Sequence, residues 1–279
     1  MKNIRIAAIS CPSKVGEIDR NLAETAAWTR KAKQAGAKLV CFPELNITGY
    51  CNRPEMAQLA QSIPGRASDE LIRLAAEEDI VILAGMAQSN DDKLPYASHC
   101  VFAPDGNLAI YHKVHIAPPE KQAFTAGNTI PIFHAGGIAF GIQLCFDAHF
   151  PELSTVMTAK GAEVIFIPHA SPRGNPEEKH SSWLRHLTAR AYDNSVFVVA
   201  CNQIGENCNG LAFPGNALVI GPGGEVMVKD TRPHASMLLA DLNAADLEAV
   251  RNHPMRHFFP HRRPDLYHPA PMPPEKEEK

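Results

Sequence analysis

The stretch IRIAAISCPSKVGEIDRNLAETAAWTRKAKQAGAKLVCF, residues 4–42, decides the fold. Ile4, Ile6 and Ala8 recur at the period of two that marks a half-buried strand. Over residues 18–35 the apolar positions, among them Leu22, Ala26 and Trp28, take helical spacing, and Gly36 supplies a C-terminal stop. Residues 38–42 then form a second strand. A strand, a helix and a strand in direct succession join as a parallel pair through a crossover, which lays the helix on one face of a sheet.

Working outward, the rhythm continues with a helix over 68–78, Ser68 acting as N-cap, and a strand over 80–85. Antiparallel pairing enters at 97–103 and 108–114, which flank the turn Pro104-Asp105-Gly106-Asn107. A second hairpin about Gly136-Gly137 joins 130–134 to 138–144, and its second strand delivers Cys145 at its end. Pro151 suits the first turn of a helix. A strand over 163–167, a helix over 178–192 and a strand over 196–201 follow. A hairpin of 215–220 with 225–228, a strand over 237–241 and a helix over 244–252 complete the pattern. No linker interrupts it, so the reading is one mixed α/β domain over residues 1–267 and a polar tail at 268–279. The Pro-, His- and charge-rich stretch from Pro254 onward builds no core of its own and is expected on the surface or against a partner subunit.

Apolar residues make up 45% of the 279 positions and charged residues 20%, a composition that supports a large core. The formal net charge of −3 provides no long-range attraction to nucleic acid or to an anionic membrane, so the expected partner is a small molecule. The first strand contains no apolar run fit for a signal peptide or a membrane span, which points to the cytoplasm. Cysteines at 11, 41, 51, 100, 145, 201 and 208 are odd in number and lack paired spacing. Free thiols in a reducing compartment are the expectation.

Glu44, Lys113 and Cys145 each stand at or near the end of a predicted strand, where open sheets place ligand sites. A thiol attacks only as thiolate, so it needs a base to take its proton and is helped by a cation that stabilises the resulting charge. Glu44 and Lys113 are of the right type. Singly, each also has an ordinary reading: a cysteine closing an apolar strand is usually inert core, a glutamate after Pro43 is equally a solvated loop acid, and a lysine on an amphipathic strand is usually at the surface.

The wording around these residues changes that balance. Phe42-Pro-Glu44-Leu-Asn-Ile-Thr-Gly49-Tyr50, Tyr111-His-Lys113-Val-His115, Pro119-Glu120-Lys-Gln-Ala-Phe124-Thr-Ala-Gly127 and Cys145-Phe-Asp-Ala-His149-Phe-Pro151-Glu152 occur in this order. They resemble the base, lysine, second-glutamate and nucleophile segments of the nitrilase superfamily of carbon-nitrogen hydrolases. The resemblance spans nearly the whole chain, to Arg262-Arg-Pro-Asp-Leu-Tyr267. It implies an αββα sandwich with mixed sheets, four-layered once two subunits pair, in a homodimer or higher homo-oligomer without metal or cofactor. It also implies that Glu44 is the general base and Cys145 the nucleophile, that Lys113 and the backbone N–H of Phe146 stabilise the oxyanion, and that Glu120 orients Lys113 or the substrate amine.

Residues 167–175, 183–187 and 189–194 resemble the substrate-pocket half of amidases and N-carbamoyl amidohydrolases. Tyr50, Phe146, His149 and His169 are the substrate contacts this implies, although His169 also reads as a hydrogen-bonded structural histidine. Many relatives carry Arg where His149 stands, and a histidine that is neutral near pH 7 holds a carboxylate less firmly. Phe146-Asp147 replaces the Trp-Glu typical of true nitrilases, which favours a small amide or N-carbamoyl amine over a nitrile. Competing readings are weaker. His253 and His257 have metal-ligand spacing, but Pro254 interrupts the helix and no acid accompanies them. Gly221-Pro-Gly-Gly lacks the Lys-Ser/Thr of a phosphate loop. A non-catalytic scaffold and an ammonia-supplying glutaminase module are the alternatives of another class.

Overall fold

The computed structural model describes residues 1–91 and 93–267, and the polar tail expected at 268–279 lies outside them. In chain order the elements are β1 (Ile4–Ser10), α1 (Ile18–Gln34), β2 (Leu39–Cys41), α2 (Met56–Leu59), α3 (Arg66–Glu78), β3 (Val81–Asn90), β4 (Lys93–Phe102), β5 (Leu108–His112), β6 (Phe133–Ala135) and β7 (Ile138–Ile142). There follow α4 (Pro151–Ala159), β8 (Val164–His169), α5 (Pro176–Asn194), β9 (Phe197–Asn202), β10 (Ile204–Glu206), β11 (Ala212–Pro214), β12 (Ala217–Ile220), β13 (Val226–Asp230), β14 (Ser236–Leu242) and α6 (Ala244–Arg251).

Two six-stranded sheets form, in the orders β14-β1-β2-β3-β4-β5 and β13-β12-β9-β8-β7-β6. The strands joined by helical crossovers, β1-β2-β3 and β7-β8-β9, run parallel, and every other neighbour within these sheets is antiparallel. Alternation along β1 distributes its side chains. Ile4, Ile6 and Ala8 enter a core shared with Phe140, Ile142, Val164 and Phe166 of the second sheet. Ala7 and Ile9 point the other way, with Val40 and Ile82, to Leu22 and Ala32 of α1 and Leu71 and Leu74 of α3. On the far side of the second sheet, α4 and α5 contribute Leu153, Met157, Trp183 and Leu187. Each such apolar side chain removed from water contributes roughly 1.5–3 kcal/mol, so the order helix, sheet, sheet, helix follows from the alternation. One chain supplies all four layers. Pairing of subunits, which the resemblance had attached to them, is not needed to complete them, because both faces of each sheet are covered from within the chain.

The central strands β8 and β9 are buried at every position, which is why they read as apolar runs and not as alternating strands. β3 extends to Asn90, beyond the expected end at 85, because β4 pairs with it along its length. The start of α3 also differs from expectation. Gly65 precedes the helix and Ser68 lies inside its first turn, where its hydroxyl accepts from Gly65 N and donates to Gly65 O, both at 2.8 Å. Ser68 therefore secures the helix start from within and is not the N-cap. The β10-β11 hairpin and the single turn α2 were not foreseen. Residues 253–267 lie on the surface, with Met255, Leu266 and Tyr267 exposed. Among the described residues no helix is long and apolar enough to cross a membrane.

The two sheets repeat one another. The series β1-β2-β3-β4-β5 and β7-β8-β9-β12-β13 share both order and pairing sense, each flanked on its outer edge by one antiparallel strand. Gly36-Ala-Lys-Leu-Val-Cys-Phe-Pro-Glu44 and Gly161-Ala-Glu-Val-Ile-Phe-Ile-Pro-His169 occupy corresponding places, as do Cys11 after β1 and Cys145 after β7.

The turn after β2 rests on Gly85 of β3, whose N–H donates to Asn46 Oδ1 at 2.8 Å and whose carbonyl accepts from Ile47 N at 2.9 Å. A Cβ at Gly85 would stand 2.7 Å from Leu45 N and 2.7 Å from His99 Nδ1. Gly85→Ala is expected to cost about 1–3 kcal/mol by overpacking, read as a lower urea midpoint with an unchanged m-value. An unchanged midpoint would mean that the turn yields freely.

Candidate active site

Glu44 leaves the end of β2 and is followed by Leu45 in the left-handed region, φ 53°, which turns the chain sharply enough to bury the carboxylate. Its Oε1 accepts from Lys113 Nζ at 2.8 Å and its Oε2 from the backbone N of Ala170, just past β8, at 3.0 Å. Gln203, just past β9, holds the Glu44 carbonyl through Nε2 at 2.8 Å. Segments that follow β5, β8 and β9 thus converge on Glu44, two at its carboxylate and one at its backbone carbonyl.

Lys113 follows β5 and is fixed by its own backbone, N to Ala97 O at 2.9 Å and O from Gly127 N at 2.8 Å. Its ammonium is 1% exposed and donates to Glu44 Oε1 and to Glu120 Oε1 and Oε2 at 3.0 and 2.8 Å. Three donors are all an ammonium has, so both carboxylates share it in full. Glu120, buried at the end of the short 3-10 turn Pro118–Glu120, also accepts from Tyr50 OH at 2.9 Å and Ala117 N at 3.1 Å. Tyr50, expected at the substrate, thus has its hydroxyl committed to Glu120. Cys145 lies just past β7, at the start of the 3-10 turn Cys145–His149, with φ 44°, a left-handed conformation that a non-glycine residue holds only where its surroundings enforce it. It is partly exposed.

Charge within this group is unbalanced, two acids against one base. Burial lifts the Glu44 carboxyl, Lys113 opposes that and Glu120 adds to it, leaving it at about 7. Burial works against the Lys113 ammonium, but Glu44 and Glu120 outweigh it and hold the group above the ordinary lysine value. The Cys145 thiol is pushed up by burial and then by Glu44, more than Lys113 pulls it down. These influences favour the protonated thiol, so attack calls for a base that takes its proton.

The remaining expected contacts are spread around this centre. Phe146 is half-buried beside Cys145, with its ring 5.7 Å from that of His149. His149 is exposed and stacks on His186 at 4.5 Å; burial lowers both imidazoles, His186 to about 4, so neither is charged at neutral pH. His169 is buried, its Nδ1 is 2.7 Å from Ile167 O and its ring lies 4.2 Å from Trp183, with its pKa lowered by burial. That is the hydrogen-bonded arrangement weighed for it from the sequence. His253 and His257 engage Met255 N and Arg251 O. Four residues near the centre had been given no place in the site: Tyr111, His115, Gln203 and Asp147. Tyr111 and His115 lie within the lysine segment and Asp147 within the nucleophile segment, where it had been read only for what Phe146-Asp147 implies about the substrate.

The sequence pattern of the carbon-nitrogen hydrolase family matches residues 5–252. The chain belongs to that family. This carbon-nitrogen hydrolase is 31% identical to a nitrilase of Pyrococcus abyssi over 95% of its length and 99% of the relative's. It is 26% identical to an (R)-stereoselective amidase of a Pseudomonas species, covering 89% and 88%. Among solved structures it superposes on an amidase of Nesterenkonia sp. AN1 with a TM-score of 0.81 and 25% identity, covering 94% of this chain and 95% of that one. In that structure the acetamide moiety of fluoroacetamide is covalently attached to the active-site cysteine.

Because a base must be unprotonated to act, kcat/KM is expected to rise with pH through an apparent value near the 7 of Glu44 and to fall about tenfold per pH unit below it. Glu120 is one of the groups raising that value, so Glu120→Gln should move the acid limb to lower pH, as a property of the coupled cluster. A pH-rate profile checks both, and a limb unmoved in the variant would contradict the coupling. Lys113→Met leaves two buried carboxylates without their cation and is expected to destabilise the fold by about 3–5 kcal/mol, measured by denaturant titration at pH 8.

Proposed function

We propose that this enzyme hydrolyses a small amide or N-carbamoyl amine through an acyl-enzyme on Cys145, with Glu44 as base and acid, Lys113 as electrostatic stabiliser and Glu120 as the residue that holds Lys113. The observation that carries this reading is the buried Lys113 ammonium shared by Glu44 and Glu120 beside a cysteine on a left-handed turn.

Sulfur attacks the carbonyl carbon while its proton passes to Glu44, and the carbonyl oxygen becomes an oxyanion. In this reading Lys113 stabilises that charge as a nearby cation and the backbone N–H of Phe146 as a hydrogen-bond donor, the latter an effect of about 2.7–4 kcal/mol in comparable sites. Glu44 then returns the proton to the leaving nitrogen as the carbon-nitrogen bond breaks, releasing ammonia or amine and leaving a thioester. A water gives its proton to Glu44 and attacks the thioester. Collapse frees the acid, and the proton on Glu44 restores the thiol. A pKa near 7 suits a group that must both accept and donate at neutral pH.

Phe146, His149, Tyr50 and His169 border the space for the acyl group in this reading. His149 and His186 are uncharged and provide no carboxylate anchor, whereas Lys179, bound to Ser171 Oγ at 2.8 Å and Pro172 O at 3.1 Å, is a second cation acting on Cys145. A nitrile is the second reading, favoured by the likeness to the Pyrococcus abyssi nitrilase. All seven cysteines are unpaired, which supports a reducing compartment such as the cytoplasm, and the exposed apolar residues of 253–267 support a homo-oligomer. The catalytic domain is taken as 1–267.

A panel of neutral amides, carboxylate-bearing amides, N-carbamoyl amines, N-carbamoyl amino acids and nitriles, followed for ammonia and carbon dioxide, tests the assignment. Carbon dioxide marks a carbamoyl substrate. Cys145→Ala is expected to abolish turnover and the acyl mass increment while circular dichroism stays unchanged, since only a small thiol is lost. Hydrolysis by the folded variant at the wild-type rate would remove Cys145 from the mechanism.

A further inference from the structure

We propose that Asp147 is a positioning residue that sets the spacing between Lys113 and Cys145; this rests on the roles assigned above and deepens them. Asp147 is fully buried. Its Oδ2 accepts from Tyr111 OH at 2.7 Å and from Leu144 N at 3.0 Å, and its Oδ1 accepts from His115 N at 2.9 Å and lies 2.9 Å from His115 Nδ1. Tyr111 and His115 stand two positions before and after Lys113, and Leu144 immediately precedes Cys145. One carboxylate therefore grips the lysine segment on both sides and ties it to the residue from which the nucleophile turn begins. Among the described residues, no other side chain hydrogen-bonds to both segments.

The surroundings make this tie stiff. The backbone of Asp147 is held as well, N to Leu144 O at 2.9 Å and O from Phe150 N at 3.1 Å. The far end of the turn is secured by Arg190, which donates to Ala148 O at 2.9 Å and His149 O at 3.2 Å, and the His115 ring stacks on Phe150 with centroids 3.7 Å apart. An ionised carboxylate is the one acceptor-only group of this size. Asparagine would turn an NH2 toward two of the donors, and at a fully buried position their loss is not readily repaired by solvent. The lysine and nucleophile segments come from different sheets, so nothing in the pairing of either sheet fixes their distance. Asp147 does.

The test compares wild type with Asp147→Asn, Asp147→Glu, Tyr111→Phe and His115→Ala in three readouts: kcat and KM on the best substrate of the panel, the rate of Cys145 alkylation by iodoacetamide, and the melting temperature. Asp147→Asn is expected to lower kcat about 100-fold, the scale of an ångström-sized misplacement, with KM within about threefold and alkylation slowed in parallel. Asp147→Glu keeps the charge but not the reach and should fail to restore kcat. Tyr111→Phe and His115→Ala each remove one tie and should lower kcat about tenfold, which keeps the proposal testable if Asp147→Asn does not fold. A merely structural residue would lower the melting temperature and leave kcat and alkylation, measured well below it, unchanged. That result in any folded Asp147 variant, or full activity in Asp147→Glu, overturns the proposal. If wild type turns over no member of the panel while its thiol is still alkylated, the functional reading fails and the alkylation comparison continues to judge Asp147.

Discussion

A single buried ammonium shared by two carboxylates governs the architecture of this site. Lys113 donates to Glu44 and Glu120, and none of the three reaches solvent. Removing charges from water is costly, and the cost is tolerable only when every donor and acceptor is matched. Three donors meet two acids here, and the remaining oxygen valences are met by Ala170 N, Ala117 N and Tyr50 OH. The arrangement requires that β2, β5, the 117–120 turn and the segment after β8 arrive at one point, so the electrostatics of the site restrict the packing of both sheets.

The same imbalance sets the chemistry. With one more negative charge than positive, the group disfavours a thiolate, and the raised thiol and the raised Glu44 carboxyl share one cause, which is burial among acids. A neutral nucleophile paired with a base poised near neutrality suits a reaction in which the proton travels with the attack and must later be surrendered to a leaving nitrogen.

Much of this was legible in the sequence. The strand-helix-strand alternation is visible because a half-buried strand and an amphipathic helix have different periods, and the three candidate residues stand out by falling at or near strand ends within recognisable segments. Glu44, Lys113, Glu120 and Tyr50, drawn from three of those segments, meet in one hydrogen-bonded cluster. What stayed hidden depends on partners distant in sequence. Tyr50 could not be seen to serve Glu120, nor His169 to stack on Trp183, from one-dimensional spacing. Ser68 fitted the residue preference of an N-cap, but the helix begins earlier and uses its hydroxyl from inside. The number of layers per chain was hidden as well, since apolar periodicity reports that a face is covered without naming the element that covers it.

The correspondence of the two sheets bears on ancestry and on what makes a cysteine reactive. Cys11 and Cys145 occupy the same station in the two halves, as do His169 and Glu44. Cys11 is sealed in the interior, with a thiol that burial and neighbouring Cys201 and Glu24 push up, whereas Cys145 sits on a left-handed turn and is partly open. The molecule carries its own inert twin. A duplicated ancestral unit would explain the division of labour: the half that carries Cys11 supplies Glu44 and Lys113, and the half that carries His169 supplies Cys145 and the bent backbone. Side-by-side substitution at the two stations separates what a strand terminus provides from what the acquired neighbours provide.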